Sequence, residues 1–473
     1  MKQSPPPPVW GWIVLPVVMA LALGLAPRPV VAQESFAQAR EAAQKQWPAS
    51  ETQALAAILA LFPERGDLWQ MAGMSALEAG QSQAAISDLS EARTLGALNL
   101  DGQIALGDAF HLNGDEAQAR SAWQDGLHRF GPDEAIYSRL TRSYVGQSDY
   151  SNAIQVYQTW VGWQPQNAEA LYQLGLLLVT RHPQEALPVL LKAARLDVSL
   201  SPSVKKIQER INAASGMTDP GAEYLQAGRA LAELGNWRLA SAAFDQAVRN
   251  SPSFAEAWAF LGEAKQELGE NGKPDLDHAM ALNSNSVLVM ALEALYLEGQ
   301  GQAASALVYL HAIADKEPDN GIWPMELGHA LVQMGDLANA LTYYQKAVQV
   351  EPDNPVLWRA LASFCLVYND QLAGVGLPAA REAVVLAPDD AESLDLLGEI
   401  LVEMGDYYSA DRFFWRALQN DPNNGAIYLH RGVMYLDLGD NAMAYQSLRR
   451  AVDLAGGKPE GQQAQRLLSR FFP

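Results

Sequence analysis

One spacing constrains this chain more than anything else in it: a small residue at the heart of an amphipathic hairpin pattern returns about every 34 residues. The unit is plainest in AESLDLLGEILVEMGDYYSADRFFWRALQNDPNN, residues 391–424. Leu394, Leu397, Gly398 and Leu401 recur at i, i+3, i+4 and i+7, which is one face of a helix. Gly405 stands where a helix C-terminus wants positive φ, and Asp406 suits the N-cap of the next helix. Ala410, Phe414 and Ala417 mark the buried face of that second helix. Pro422 ends it, because proline cannot continue the hydrogen-bond ladder.

The first small residue of each unit gives a ruler: Gly73, Gly107, Thr141, Gly175, then Gly228, Gly262, Ala294, Gly328, Ala362, Gly398 and Gly432. Most steps are 34. A shorter unit follows Gly262, a unit two residues longer follows Ala362, and a gap of 53 separates Gly175 from Gly228. A hairpin with one apolar side cannot bury it alone, so neighbours must stack, each touching mainly the next. Small residues at fixed places let paired helices approach closely, and large residues fill the space beside them.

Residues 221–254 carry the motif most fully, with Tyr224, Ala227, Gly228, Leu231, Gly235, Ala240, Phe244, Ala247 and Pro252. Residues 134–167 carry it with Thr141 and Trp160 at small-residue positions. In period and motif the chain resembles the tetratricopeptide repeat family, of the bacterial exported or envelope type. The resemblance covers about eleven units between 66 and 458. It implies an all-α fold, a right-handed α-solenoid of stacked helix-turn-helix repeats.

The organisation expected around the array is as follows. Residues 1–32 are a signal peptide or N-terminal anchor: one lysine, an apolar run from Val9 to Ala26 interrupted by Pro16, and Val30-Val31-Ala32 before Gln33. Either form places the rest outside the cytoplasm. Residues 33–65 read as a degenerate first repeat or cap, 66–197 as four repeats, and 198–220 as an inserted helix or spacer that could also serve as a hinge or docking site. Seven repeats occupy 221–458. A capping helix over 459–473 is expected to cover the last repeat with Leu467, Leu468 and Phe471.

Composition narrows function. With 54 acidic against 33 basic residues the formal charge is -21. That disfavours nucleic acid, whose affinity comes from Lys and Arg on phosphates, and weakly favours basic partners. The single cysteine, Cys365, falls where other repeats place Leu or Tyr and reads as a packing residue. The seven histidines form no His-x-x-x-His or His-Glu-x-x-His pair, and there is no phosphate loop or Gly-x-Ser-x-Gly elbow. No catalytic residue, cofactor or metal ligand is expected, and the chain is read as non-enzymatic.

What remains is surface. In the family, first helices line a concave groove that binds peptides or protein segments. Carried onto this chain, those positions are Asp101, Asp108, Arg142, Tyr172 and Arg229, then Glu256, Glu263, Met325, His329, Arg359, Glu392, Asp395 and Glu399. Two stretches are acidic: Glu256, Glu263 and Glu267, and Glu392, Asp395, Glu399 and Glu403. Their electrostatics suit a Lys- or Arg-bearing segment, and reversing charge at Glu392, Asp395 and Glu399 is expected to leave the fold intact. The Lys and Asn clamp with which part of the family holds C-terminal carboxylates is missing at the matching offsets.

The expected function is a protein–protein interaction scaffold in an envelope assembly, touching membrane only through the N-terminal segment if that is uncleaved. An alternative stays open: an accessory subunit of a polysaccharide export or secretion complex that binds glycan or a pore component. Most Trp and Tyr fall on core positions, with Tyr172 and Trp323 as exceptions.

Overall fold

The turn chemistry sets the helix ends. In the computed structural model, which describes residues 55, 58–214 and 216–472, Gly405 closes its helix at φ +76°. The Asp406 side chain then accepts from Ser409 N at 3.1 Å and starts the next helix. Ser148 and Asn369 hold the same turn position without glycine, at φ +57° and +48°, a conformation that disfavours residues with a Cβ. Between hairpins a second device recurs. The indoles of Trp69, Trp258 and Trp358 donate Nε1 to the carbonyl of the proline six residues back, Pro63, Pro252 and Pro352, at 2.6–2.8 Å.

The described residues form twenty-four α-helices and no strand. The chain divides into two compact units. Unit 1 runs to Leu177 and takes in Val189–Val198; unit 2 has Leu178–Pro188 and everything from Ser199. Unit 1 contains the hairpins α1 (Gly66–Glu78) with α2 (Ser82–Thr94), α3 (Leu100–Leu112) with α4 (Glu116–Phe130), and α5 (Glu134–Gly146) with α6 (Tyr150–Trp163). Helices α7 (Ala168–Val179) and α8 (Pro183–Leu196) follow, and the division runs through both. Unit 2 opens with the single helix α9 (Ser201–Ala213). Seven hairpins come next: α10 (Ala222–Glu233) and α11 (Trp237–Asn250), α12 (Ala255–Glu267) and α13 (Lys273–Leu282), α14 (Val287–Gly299) and α15 (Ala303–Lys316), α16 (Ile322–Gln333) and α17 (Leu337–Val350), α18 (Pro355–Tyr368) and α19 (Leu377–Leu386), α20 (Ala391–Glu403) and α21 (Tyr407–Asn420), α22 (Gly425–Leu438) and α23 (Asn441–Ala455). The helix α24 (Pro459–Phe471) closes it.

The small residues of the ruler earn their spacing by contact. A Cβ added to Gly398 would lie 2.6 Å from the ring of Phe414, and one on Gly107 would lie 2.1 Å from the indole of Trp123. Both large partners come 16 residues after the glycine and are wholly or almost wholly buried. Burying one such ring stabilises the layer by about 2–3 kcal/mol. Thr141 is tolerated at the same place because its hydroxyl donates to Tyr137 O at 2.9 Å within its own helix. Trp160 fits by stacking between Tyr137 and Tyr157, at ring separations of 5.9 and 5.7 Å.

Three features refine the sequence reading. The two extra residues after Ala362 are absorbed by Asn369 and Gln371, both at positive φ, followed by a π-helical turn at Leu372–Gly376. Helix α9 buries Val204, Ile207 and Ile211 and pairs Arg210 with Glu233 of α10. At the C-terminus Leu468 is buried against Leu429, Leu448 and Ala451, with Leu467 beside it. Phe471 is not part of that cover: it is 48 % exposed, because its position on α24 turns away, and Phe472 packs there instead, 5.4 Å from Tyr445 ring to ring. Residues 1–54, with the leader or anchor and most of the expected first cap, lie outside the described residues. No helix among the described residues is long and apolar enough to cross a membrane.

Candidate functional site

Most consecutive first helices within a unit pack side by side, and the residue after the ruler position lands on the wall they form. Asp108, Arg142, Arg229, Glu263, His329 and Glu399 all occupy that place. At Asp108, Arg229 and Glu399 it meets the residue 31 positions later on the next first helix, Arg139, Phe260 and His430.

In unit 1 this meeting is an ion pair. Arg139 donates Nε and Nη2 to the two carboxylate oxygens of Asp108 at 2.6 and 2.8 Å, a bidentate geometry. Trp123 Nε1 adds a third bond to Asp108 Oδ1 at 3.2 Å. A cavity of about 460 Å³ opens beside them, lined also by His111, Arg142 and Ser143. Arg142 is exposed there. Tyr172, on α7, is half-buried and lines no part of this cavity.

Unit 2 is dominated by carboxylates. Burial first, then Glu267, pushes Glu263 up to about 7, and Arg229 opposes the shift. Arg229 is itself half-buried, its guanidinium 5.2 Å from the Phe260 ring, and burial lowers its pKa. Glu256 is engaged: it accepts from Ser286 Oγ at 2.8 Å, tying neighbouring hairpins together. Further along, burial and the neighbouring Glu326 push Glu298 up to about 6. His329 lies 3.1 Å from Glu326 and edge-on to Tyr344; the hydrogen bond to Glu326 raises its pKa.

The run from Glu392 to Glu403 is not a solvated acidic stripe. Glu392 is exposed and bound by Arg359 Nη2 at 3.0 Å, while Nη1 of the same guanidinium reaches Asp390 at 2.6 Å. Asp395 is only 9 % exposed; its Oδ2 lies 2.9 Å from His430 Nδ1 and its Oδ1 is buried without a partner. Glu399 is half-buried, 3.5 Å from the same Nδ1, and burial pushes it up to about 7. The expectation that charge reversal across this run spares the fold is therefore corrected at Asp395, where a lysine or arginine would replace a buried, hydrogen-bonded carboxylate. A cavity of about 400 Å³ lies beside Glu399 and His430. Its framework repeats that of unit 1: Glu399 stands for Asp108, His430 for Arg139, and Phe414 for Trp123.

Of the expected wall residues, the structure brings together Arg229 with Glu263, Arg359 with Glu392, and Asp395 with Glu399. In unit 1 Arg142 shares its cavity with Asp108, and Tyr172 stands on α7 outside that cavity. Sequence reading missed Arg139, Glu298, Glu326 and His430. The signal was present as the 31-residue offset, which pairs Asp108 with Arg139 and Glu399 with His430. Cys365 is buried in the core, where burial pushes its thiol up to about 11, away from nucleophilic use.

Comparison with known proteins gives one consistent finding. Tetratricopeptide repeat family models match residues 297–364, and residues 71–135, 225–270 and 396–459, together about half of the chain. No curated protein matches it. Among solved structures, yeast Tom70 is 13 % identical, aligns over 78 % of this chain and 95 % of its own, with TM-score 0.43. YrrB, described as a TPR protein with an unusual peptide-binding site, is 20 % identical over 40 % of this chain and 97 % of its own, TM-score 0.32. PilW, a type IV pilus biogenesis factor, is 18 % identical over 43 % and 94 %, TM-score 0.38.

Proposed function

The chain belongs to the tetratricopeptide repeat family, and from that premise we propose that it is a non-catalytic interaction scaffold whose unit 2 wall takes up Lys- or Arg-bearing protein segments. The observation that carries this reading is like-charge crowding. Burial first, then Glu267 on the same helix, holds Glu263 up at about 7, and burial first, then Glu326 on the next first helix, holds Glu298 up at about 6. A cationic side chain brought between such a pair relieves the repulsion and gains a charge-assisted hydrogen bond. The aromatic surface that a glycan-binding array would use finds little support at Trp323, whose Nε1 donates to Glu317 at 2.7 Å.

The apolar run Val9–Ala26 supports a place outside the cytoplasm, in an envelope assembly. Affinity capture from envelope extract tests both parts, with the full chain and a Glu263→Gln/Glu298→Gln variant as baits. Proteins retained by the parent should be lost with the variant and with about 0.5 M salt, which screens surface charge. Retention indifferent to both changes would sink the acidic-wall reading.

A further inference from the structure

The meeting of Asp395, Glu399 and His430 has a chemistry that peptide docking does not require. Asp395 and Glu399 stand one turn apart on α20, which puts both carboxylates on one face. His430 reaches them from α22 with Nδ1 directed at both, 2.9 Å from Asp395 Oδ2 and 3.5 Å from Glu399 Oε1. One donor atom from each of the three lies within 4.8 Å of the others. A tetrahedral zinc site with bonds of about 2.0–2.2 Å has donor–donor edges of roughly 3.3–3.6 Å; the 3.5 Å separation already fits, and the 2.9 Å one needs a side-chain shift of only about half an ångström.

A second observation points the same way. Asp395 is nine-tenths buried, yet its Oδ1 has no hydrogen-bond partner. Glu460 of α24 likewise leaves Oε2 buried and unpartnered. Among the residues lining the adjoining cavity are Glu399, Glu403 and His430, and none is Lys or Arg. One imidazole therefore faces an excess of carboxylates. Buried anions without a compensating charge are costly, and the equivalent place in unit 1 is balanced by Arg139.

We propose that Asp395, Glu399 and His430 form a binding site for a divalent transition-metal ion of the zinc class, which links α20 to α22. The donor set, one nitrogen and two carboxylate oxygens, leaves the fourth position to water from the cavity or to a donor brought by a bound segment. The ion joins neighbouring repeats near the C-terminal end of unit 2 and stiffens the layer on which α24 rests.

The test uses the full chain, stripped with chelator and titrated calorimetrically with Zn²⁺, with Co²⁺ as an absorbing probe. The parent should take up one equivalent at a shared site, show cobalt absorption, and gain thermal stability on loading. His430→Gln and Asp395→Asn should each lower the affinity at least tenfold and abolish the stabilisation. If Asp395→Asn fails to fold, as its burial allows, the half-exposed Glu399→Gln takes its place with the same expected loss. A Glu116→Gln change beside His111 should leave the binding unaltered. Absence of saturable binding by the parent, or undiminished binding by His430→Gln, would overturn the assignment. Neither result depends on whether Glu263 and Glu298 dock a basic segment.

Discussion

The two cavities are the same place in the repeat, filled differently. In unit 1 the position after the small residue is Asp108, and the residue 31 later is Arg139; the pair is bidentate and self-balanced. In unit 2 the same two positions are Glu399 and His430, with Asp395 added from the preceding turn. Both rest on a glycine under a buried ring, Gly107 under Trp123 and Gly398 under Phe414. The framework is shared and structural; the charge balance is local and variable. A repeat fold can thus hold its geometry fixed while one position is a structural ion pair in one layer and an unbalanced acidic group in another.

The largest effect should come from breaking what the two places share. Gly398→Val drives a side chain into Phe414 and should cost about 3 kcal/mol by overpacking, read as a lowered denaturation midpoint. Gly328→Ala is the mild counterpart, since its Cβ would meet Tyr344 at 3.1 Å; equal effects of the two would contradict the close-approach account. Next comes the balance itself. Arg139→Ala leaves Asp108 with only the Trp123 bond, and should cost about 1 kcal/mol because the pair is partly exposed to solvent. No change in stability would mean that the ion pair is ornamental.

These expectations also mark how far the sequence could be read. The hairpins were legible because Gly405, Asp406 and Pro422 have single physical meanings, and because the small-residue spacing is a steric requirement. The π-helical turn after Asn369 was not, since an insertion of two residues tells its length but not its backbone path. The wall positions were legible as a register, yet not their state. Asp395 looked like one acid among four on a helix face. Only stacking brings His430 onto it, and only stacking removes it from water.

A subtler contrast concerns protons. Glu263 occupies the same register place as Asp108 and Glu399, and is held at about 7. Its native form therefore binds more protons than the unfolded chain between the ordinary carboxyl range and 7. Its contribution to stability is full below that range and is lost as pH rises through 7. Glu263→Gln should match the parent near pH 4 and exceed it at pH 8 in melting temperature; a pH-independent difference would deny the shift. The smallest effect is expected at the rim. Glu392→Gln removes an exposed partner from Arg359, which keeps Asp390, and stability should move by no more than about 0.5 kcal/mol.

The central claim, that the unit 2 wall is an acid-rich surface for cationic segments, is tested most directly by fluorescence anisotropy with two labelled peptides of equal length, one lysine-rich and one glutamate-rich. The account predicts that the full chain binds the lysine-rich peptide alone, that salt weakens this binding, and that Glu263→Gln/Glu298→Gln weakens it further. Equal binding of both peptides, or binding of the lysine-rich one untouched by that double change, would contradict it.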